Sequence, residues 1–151
     1  MQNTVLCYLE KDGKYLMLYR NAKKNDVNGG KWVGVGGHIE ENESPDEAVC
    51  REVREETGLT LNSCRFRGVV TFVSDKWEGE YMYLYTSSDF SGELSDCDEG
   101  DLHWINKDEV MSLPMWAGDV IFLQHILEDR PEALMLKVTY RGDELVGAEK
   151  Y

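Results

Sequence analysis

Apolar residues along this chain fall mostly in short alternating runs. Residues 4–9 (TVLCYL) and 15–20 (YLMLYR) flank the turn EKDGK and read as a hairpin. A polar loop, NAKKNDVNGG, leads into KWVGV at 31–35, a further short strand punctuated by Gly36 and Gly37. FRGVVTFVS (66–74) and EYMYLYTS (80–87) predict a second strand pair across DKWEG, and LHWI (102–105) and ALMLKVTY (133–140) add two more. Two segments carry helical spacing instead. The first opens at Ser44, an N-cap with Pro45 at the first helical position and Glu47 to complete a capping box, and Gly58 supplies the stop. The second covers 119–129 and offers Val120, Phe122, Leu123, Ile126 and Leu127 for burial. Residues 106–113 predict a short helical turn. Strands mix with few helices and do not alternate regularly with them. The expectation is a single α+β domain over residues 1–151, a mixed sheet covered by helices.

Composition narrows the partners. A formal charge of −13 argues against long nucleic acids, which reward basic surfaces, but admits a small anionic substrate escorted by divalent cations. No run approaches the roughly 18–20 apolar residues of a membrane span. The N-terminal stretch lacks the pattern of a secretory signal, so a cytoplasmic setting is expected. Cys7, Cys50, Cys64 and Cys97 are scattered without a CxxC pair, which predicts reduced thiols and no zinc site.

The first helix poses a problem of charge. At 100° per residue, with Glu52 at zero, Glu55 falls at about −60° and Glu56 at about +40°. Val49, Cys50, Val53 and Thr57 form the apolar flank, so the three carboxylates border the buried face. Like charges at this spacing repel by about 0.2–0.5 kcal/mol per pair. A solvated charged face with Arg51 pairing to Glu47 or Glu55 is one account. The other is a divalent cation: clustered carboxylates with a main-chain carbonyl are hard oxygen ligands for Mg²⁺ or Mn²⁺. The glycine pair just upstream permits a ligand to approach the backbone.

From Gly37 the chain runs Gly, five residues, Glu43, seven residues, Arg51, Glu52, Val53, one residue, Glu55, Glu56, one residue, Gly58, Leu59. This stretch, 37–59, resembles the complete Nudix box. The resemblance implies an αβα sandwich that hydrolyses a diphosphate linkage of a nucleoside diphosphate derivative with Mg²⁺ or Mn²⁺. It implies metal-binding positions at Glu52, Glu55 and Glu56, a metal-facing carbonyl at Gly36, an orienting Arg51 and a bracing Glu43.

The segments GGKWVGVGGHIEENE, DEGDLHWI and LPMWAGD are similar to the MutT-like triphosphatases, especially those acting on oxidised purine nucleoside triphosphates of the 8-oxo-dGTP kind. That implies hydrolysis of a nucleoside triphosphate to the monophosphate and pyrophosphate. Glu99 matches an acidic residue that reaches the metals as a candidate general base; alternatively it is one loop carboxylate among Asp96, Asp98 and Asp101. Glu52 and Glu55 are the other candidate bases. Trp116 matches a base-stacking aromatic, or else packs at the head of the second helix. Asp119 matches a carboxyl that bonds the base edge, or else is that helix's N-cap. Lys23, Lys24, Gly37 and His38 match positions near the substrate. The purine-reading members carry Asn where this chain has Val33, which can neither donate nor accept. Hydrolysis of ADP-ribose or a nucleotide sugar, and nucleotide sensing without cleavage, are the competing functions. Free sheet edges leave monomer and homodimer open.

Overall fold

The computed structural model describes residues 1–21 and 26–151. Chain order is β1 (Gln2–Lys11), β2 (Lys14–Arg20), β3 (Trp32–Val33), β4 (Val35–His38), α1 (Pro45–Thr57), β5 (Thr60–Ser74), β6 (Glu80–Ser91), β7 (Gly100–Asn106), α2 (Lys107–Val110), α3 (Ala117–Leu127), β8 (Leu134–Arg141) and β9 (Glu144–Lys150). The strands hydrogen-bond in the order β3-β2-β1-β6-β5-β8-β9, with β4 added on β1 and β7 on β2. Parallel pairs (β1 with β6, β5 with β8) sit among antiparallel ones, so the sheet is mixed, as expected.

Helices cover both faces. α1 packs Ala48, Val49 and Val53 against Val5, Cys7, Leu9 and Val35. On the opposite face α3 packs Phe122, Leu123 and Ile126 against Tyr8, Val70, Leu84, Leu136 and Val138. β1 alternates between the two cores, which is why almost all of its middle is buried although its side chains point both ways.

Four sequence expectations need correction. The first hairpin is real only at its turn: β1 and β2 pair at Glu10↔Tyr15 and Lys11↔Lys14, then diverge. β1 joins β4 and β6, whereas β2 joins β3 and β7, because each has buried faces to cover on its own side. The run 31–35 is two strands. Val33 pairs with Leu18 of β2 and Val35 with Cys7 of β1, so the chain changes partner at Gly34. α3 begins at Ala117 with Trp116 as N-cap, so Asp119 is not the cap. Within α3 Val120 is exposed and His125 takes a buried place instead, its Nε2 3.0 Å from the Glu132 carbonyl. β9 has no counterpart in the sequence reading.

α1 forms as its sequence predicts. The Ser44 hydroxyl accepts from the Glu47 N–H at 3.1 Å, and the Glu47 carboxylate accepts from the Ser44 N–H at 3.0 Å. The helix stops at Gly58, whose φ of 80° is a left-handed conformation that a side chain resists.

Candidate active site

β4 ends in Gly36, Gly37 and His38, and α1 returns over it. This contact brings the box glutamates to the glycines. A Cβ on Gly37 would lie 2.5 Å from the Glu52 carboxyl, so only glycine admits that side chain. The Gly36 N–H reaches the Glu56 carboxyl at 3.3 Å. Glu56 is 7% exposed, and Glu52 only 13% at its side chain, whereas Glu55 stands 59% exposed on the outer side of the helix. The three acids are thus inequivalent, Glu56 lying nearest the apolar flank of the helical wheel and Glu55 farthest from it.

Arg51 ties Glu52 and Glu55 together. Its Nε and Nη2 donate to Glu43 at 2.7 and 2.9 Å, and Nη1 donates to Glu52 at 2.8 Å and Glu55 at 3.1 Å. Nη2 also donates to the His38 carbonyl at 2.9 Å, pinning the end of β4 to the helix. The guanidinium holds the Glu43 carboxyl down at about 2. Arg51 contacts neither Glu56 nor Glu99, and these two acids share a hydrogen bond. Burial, the Glu99 charge and hydrogen bond, and the Glu52 charge push Glu56 up to about 9. Glu52 is raised as well, by burial first, against the lowering pull of Arg51. Glu99 is held from the other side by Arg20, whose Nη1 donates at 3.0 Å, and Arg20 also pairs with Asp26 at 3.2 Å.

A cavity of about 400 Å³ opens onto this cluster. Gly36, Gly37, Glu52, Glu99 and Arg20 line one part of it; Phe72, Met82, Glu80, Trp116 and Asp119 line another; Gln2, Thr4, His38 and Val33 also contribute. Trp116 is 5% exposed and packs edge-on against Phe72 and Tyr140, with ring centroids 5.8 and 4.8 Å away. Its Nε1 donates to Asn28 at 3.1 Å, and Lys31 Nζ sits 4.5 Å from its ring centre. It is therefore both packed and part of the cavity wall. Burial, helped by the Glu80 charge and opposed by Lys31, pushes Asp119 up to about 8. His38 is exposed and bonds Gln2 at 2.9 Å. Lys23 and Lys24 lie outside the described residues. The sequence reading missed Arg20, Asn28, Phe72, Glu80 and Met82. The alternation in EYMYLY, which turns Glu80, Met82 and Leu84 to one face, was the signal for two of them.

The chain matches the NUDIX domain model over residues 1–126. The chain belongs to the Nudix family. It is 33% identical over 133 residues to an uncharacterized Nudix hydrolase, YvcI, of Bacillus subtilis, with 85% of this chain and 78% of that protein covered. It is 29% identical over 112 residues to the oxidized purine nucleoside triphosphate hydrolase of Danio rerio, covering 72% and 70%. The crystal structure of a mutator MutT protein from Bacillus halodurans superposes with a TM-score of 0.88 at 29% identity, covering 99% of this chain and 97% of that one. This Nudix chain is thus a hydrolase of phosphorus anhydrides with a Nudix fold and MutT-like neighbours. Its family acts on small nucleotides and generally uses divalent metals.

The acids fit a divalent cation. Among the described residues no three carboxyl, thiol or imidazole groups already stand as a ready metal cluster, because Arg51 draws Glu52 and Glu55 toward itself. Yet burial, with Glu99 and Glu52 close by, holds a proton on Glu56. Oxygen-only donors crowded in this way suit a hard cation, which would take the place of that proton. Among the described residues no helix is long and apolar enough to cross a membrane.

Proposed function

We propose that this Nudix hydrolase cleaves a nucleoside triphosphate of the oxidised-purine kind to the monophosphate and pyrophosphate with Mg²⁺ or Mn²⁺. The observation that carries the reading is a single cavity. It connects Glu52 and Glu99, with the buried Glu56 behind them, to a recess walled by Phe72, Trp116 and Asp119. A polyphosphate belongs at the first and a base at the second. The Danio rerio relative supports the substrate class, and Val33, which replaces the Asn of the purine-reading members, shifts base recognition to other groups.

Glu52, Glu56 and Glu99, with the Gly36 carbonyl, would hold the cations, and Glu55 would join them by turning from Arg51. When bound, the cations would neutralise the polyphosphate and polarise the attacked phosphorus. Arg51 orients the acids, and Glu43 anchors Arg51. Glu52 and Glu99 line the cavity and Glu55 does not, so the attacking water gives its proton to Glu52 or Glu99. His38 would face phosphate oxygens, and Arg20 fixes Glu99.

The test is a metal-dependent release screen over nucleoside triphosphates, ADP-ribose and nucleotide sugars. Pyrophosphate from a triphosphate is expected, and Glu56→Gln should slow it by at least about a hundredfold with the fold intact. Two monophosphate products from ADP-ribose alone would move the chain to the diphosphate-derivative class. Binding without turnover would make it a sensing module.

A further inference from the structure

A second cavity, of about 430 Å³, opens at the far end of β1 and shares no lining residue with the catalytic one. Gln2 and Thr4 of β1 line the catalytic cavity; Glu10 lines this one, roughly 20–25 Å farther along the strand. Its floor comes from β5. The pairing of β5 with β6 slips between Phe66 and Gly68, so Arg67 is the extra residue of a bulge, a feature that re-aims side chains. Arg65 pairs with Thr86, and Thr86 with Tyr8 of the core under α3, so Arg65 shares that face of the sheet. Arg67 joins it there, its Nε donating to the Thr86 hydroxyl at 2.8 Å. Arg67 is 9% exposed. Its Nη2 pairs with Asp129 Oδ1 at 2.9 Å, and Arg65 Nη1 donates to the same oxygen at 3.1 Å. Nη1 of Arg67 is buried with no partner among the described residues. Across the cavity, Glu10 holds the Lys107 ammonium, which lies 5.1 Å from the Tyr15 ring centre. Arg65, Arg67 and Lys107 thus line one cavity against only Glu10 and Asp129, in a chain of net charge −13.

We propose that this cavity is a second binding site, which takes a phosphate group, free or at the end of a small phosphomonoester, between Arg67, Arg65 and Lys107. Donors outnumber acceptors here. An ion-pair brace for the end of α3 accounts for Nη2 of Arg67 but strands Nη1, and a buried N–H without an acceptor is costly. One Asp129 oxygen serves both guanidinium groups, yet that side chain is 71% exposed, so it can turn out into water. A phosphate in its place brings three terminal oxygens. It can take Nη1 and Nη2 of Arg67 as a fork and still reach Arg65 and Lys107. A planar carboxylate has two oxygens and leaves some of these donors, which come from β5 and α2, unmet. The volume falls in the range of small-molecule sites, roughly 300–1,000 Å³, which leaves room for an organic remainder beyond the phosphate. Ser63, Thr86 and Ser87 on the wall suit a polar remainder such as a sugar.

The test is calorimetric titration of the full chain with inorganic phosphate, ribose 5-phosphate and acetate, in Mg²⁺ and again in EDTA. Saturable binding of both phosphates is expected in either medium, because in EDTA the catalytic acids have no cation with which to attract an anion. Acetate should bind at least about tenfold more weakly. Arg65→Met and Lys107→Met remove partly exposed side chains, and each should weaken phosphate binding at least about tenfold. Arg67→Met should weaken it further; should that variant fail to fold, the other two decide. In nuclear magnetic resonance spectra taken along the titration in EDTA, the Arg67 Nε–H and the amides of Thr86 and Ser87 should move, and those of Gly36 and Gly37 should not. Tighter binding of ribose 5-phosphate than of inorganic phosphate supports the site as one for the ester, and equal binding supports it as one for the free ion. Phosphate that binds only in Mg²⁺, or that shifts Gly36 and Gly37 in EDTA, occupies the catalytic cavity and overturns the inference. So does an affinity unchanged in both Arg65→Met and Lys107→Met, or acetate that binds as well as phosphate.

Discussion

Two residues show how narrowly the acidic cluster is held. Glu52 fits only because position 37 has no side chain, with its carboxyl 2.5 Å from where a Cβ would stand. The obstructing atoms are the end of a flexible side chain, so Gly37→Ala would displace Glu52 and strain little backbone. The expected outcome is a melting midpoint within a few degrees of wild type, with kcat lowered by at least about tenfold. Steady-state kinetics beside thermal unfolding checks it. Arg51 is the second case, because it bonds Glu43, Glu52, Glu55 and the His38 carbonyl together. Arg51→Lys keeps the charge but loses the fork, so it should retain only a minor part of the activity. Arg51→Met should lose more activity and also lower the melting midpoint. Activity near wild type in Arg51→Lys would show that charge alone suffices. The spacing of the box made both residues legible. It could not show that Glu56 meets Glu99, since that depends on how the start of β7 reaches the helix.

At the scale of elements, local chemistry was legible and pairing was not. α1 announces its own ends, with Ser44, Pro45 and Glu47 at one and Gly58 at the other, because caps involve residues only a few positions apart. Ser44→Ala is expected to cost about 1 kcal/mol. That is roughly 2–4 °C in melting midpoint for a domain of this size, measured by thermal unfolding. Its kcat/KM should remain within about twofold, because Ser44 caps the helix away from the cavity. Strand partners could not be read the same way. β3 and β4 look like one strand until Gly34, where the chain leaves β2 for β1. The recess around Trp116 is assembled from β1, β5, β6 and α3, so no single stretch of sequence contains it. Glu80 went unread for this reason: it is an ordinary strand-end acid until the sheet sets Phe72 beside it.

For the whole molecule the governing quantities are unbalanced negative charge, −13 over the chain, and two acids, Glu56 and Asp119, that burial forces toward their neutral forms. Folded Glu56 titrates at about 9 and Asp119 at about 8, against 4.5 and 3.8 as ordinary carboxyls. The folded state therefore binds more protons than the unfolded one across that interval, and stability falls as pH rises through it. This is the reverse of a salt-bridged carboxylate. Metal-free protein is thus expected to melt at progressively lower temperature from pH 5 to pH 9, an interval set by the two shifts. A cation bound at Glu56 replaces its proton, so millimolar Mg²⁺ should raise the midpoint more at pH 9 than at pH 6. Sodium chloride at matched ionic strength separates binding from general screening of the acidic surface. Asp119 lies in the aromatic recess away from Glu56, so its share of the slope should persist in Mg²⁺ and disappear in Asp119→Asn. Glu56→Gln should remove the other share and with it the extra gain from Mg²⁺ at high pH. A metal-free midpoint that holds steady or climbs between pH 6 and 9 would mean that these carboxyls are already ionised without a cation. The burial and crowding that would suit the cluster to a cation would then be absent.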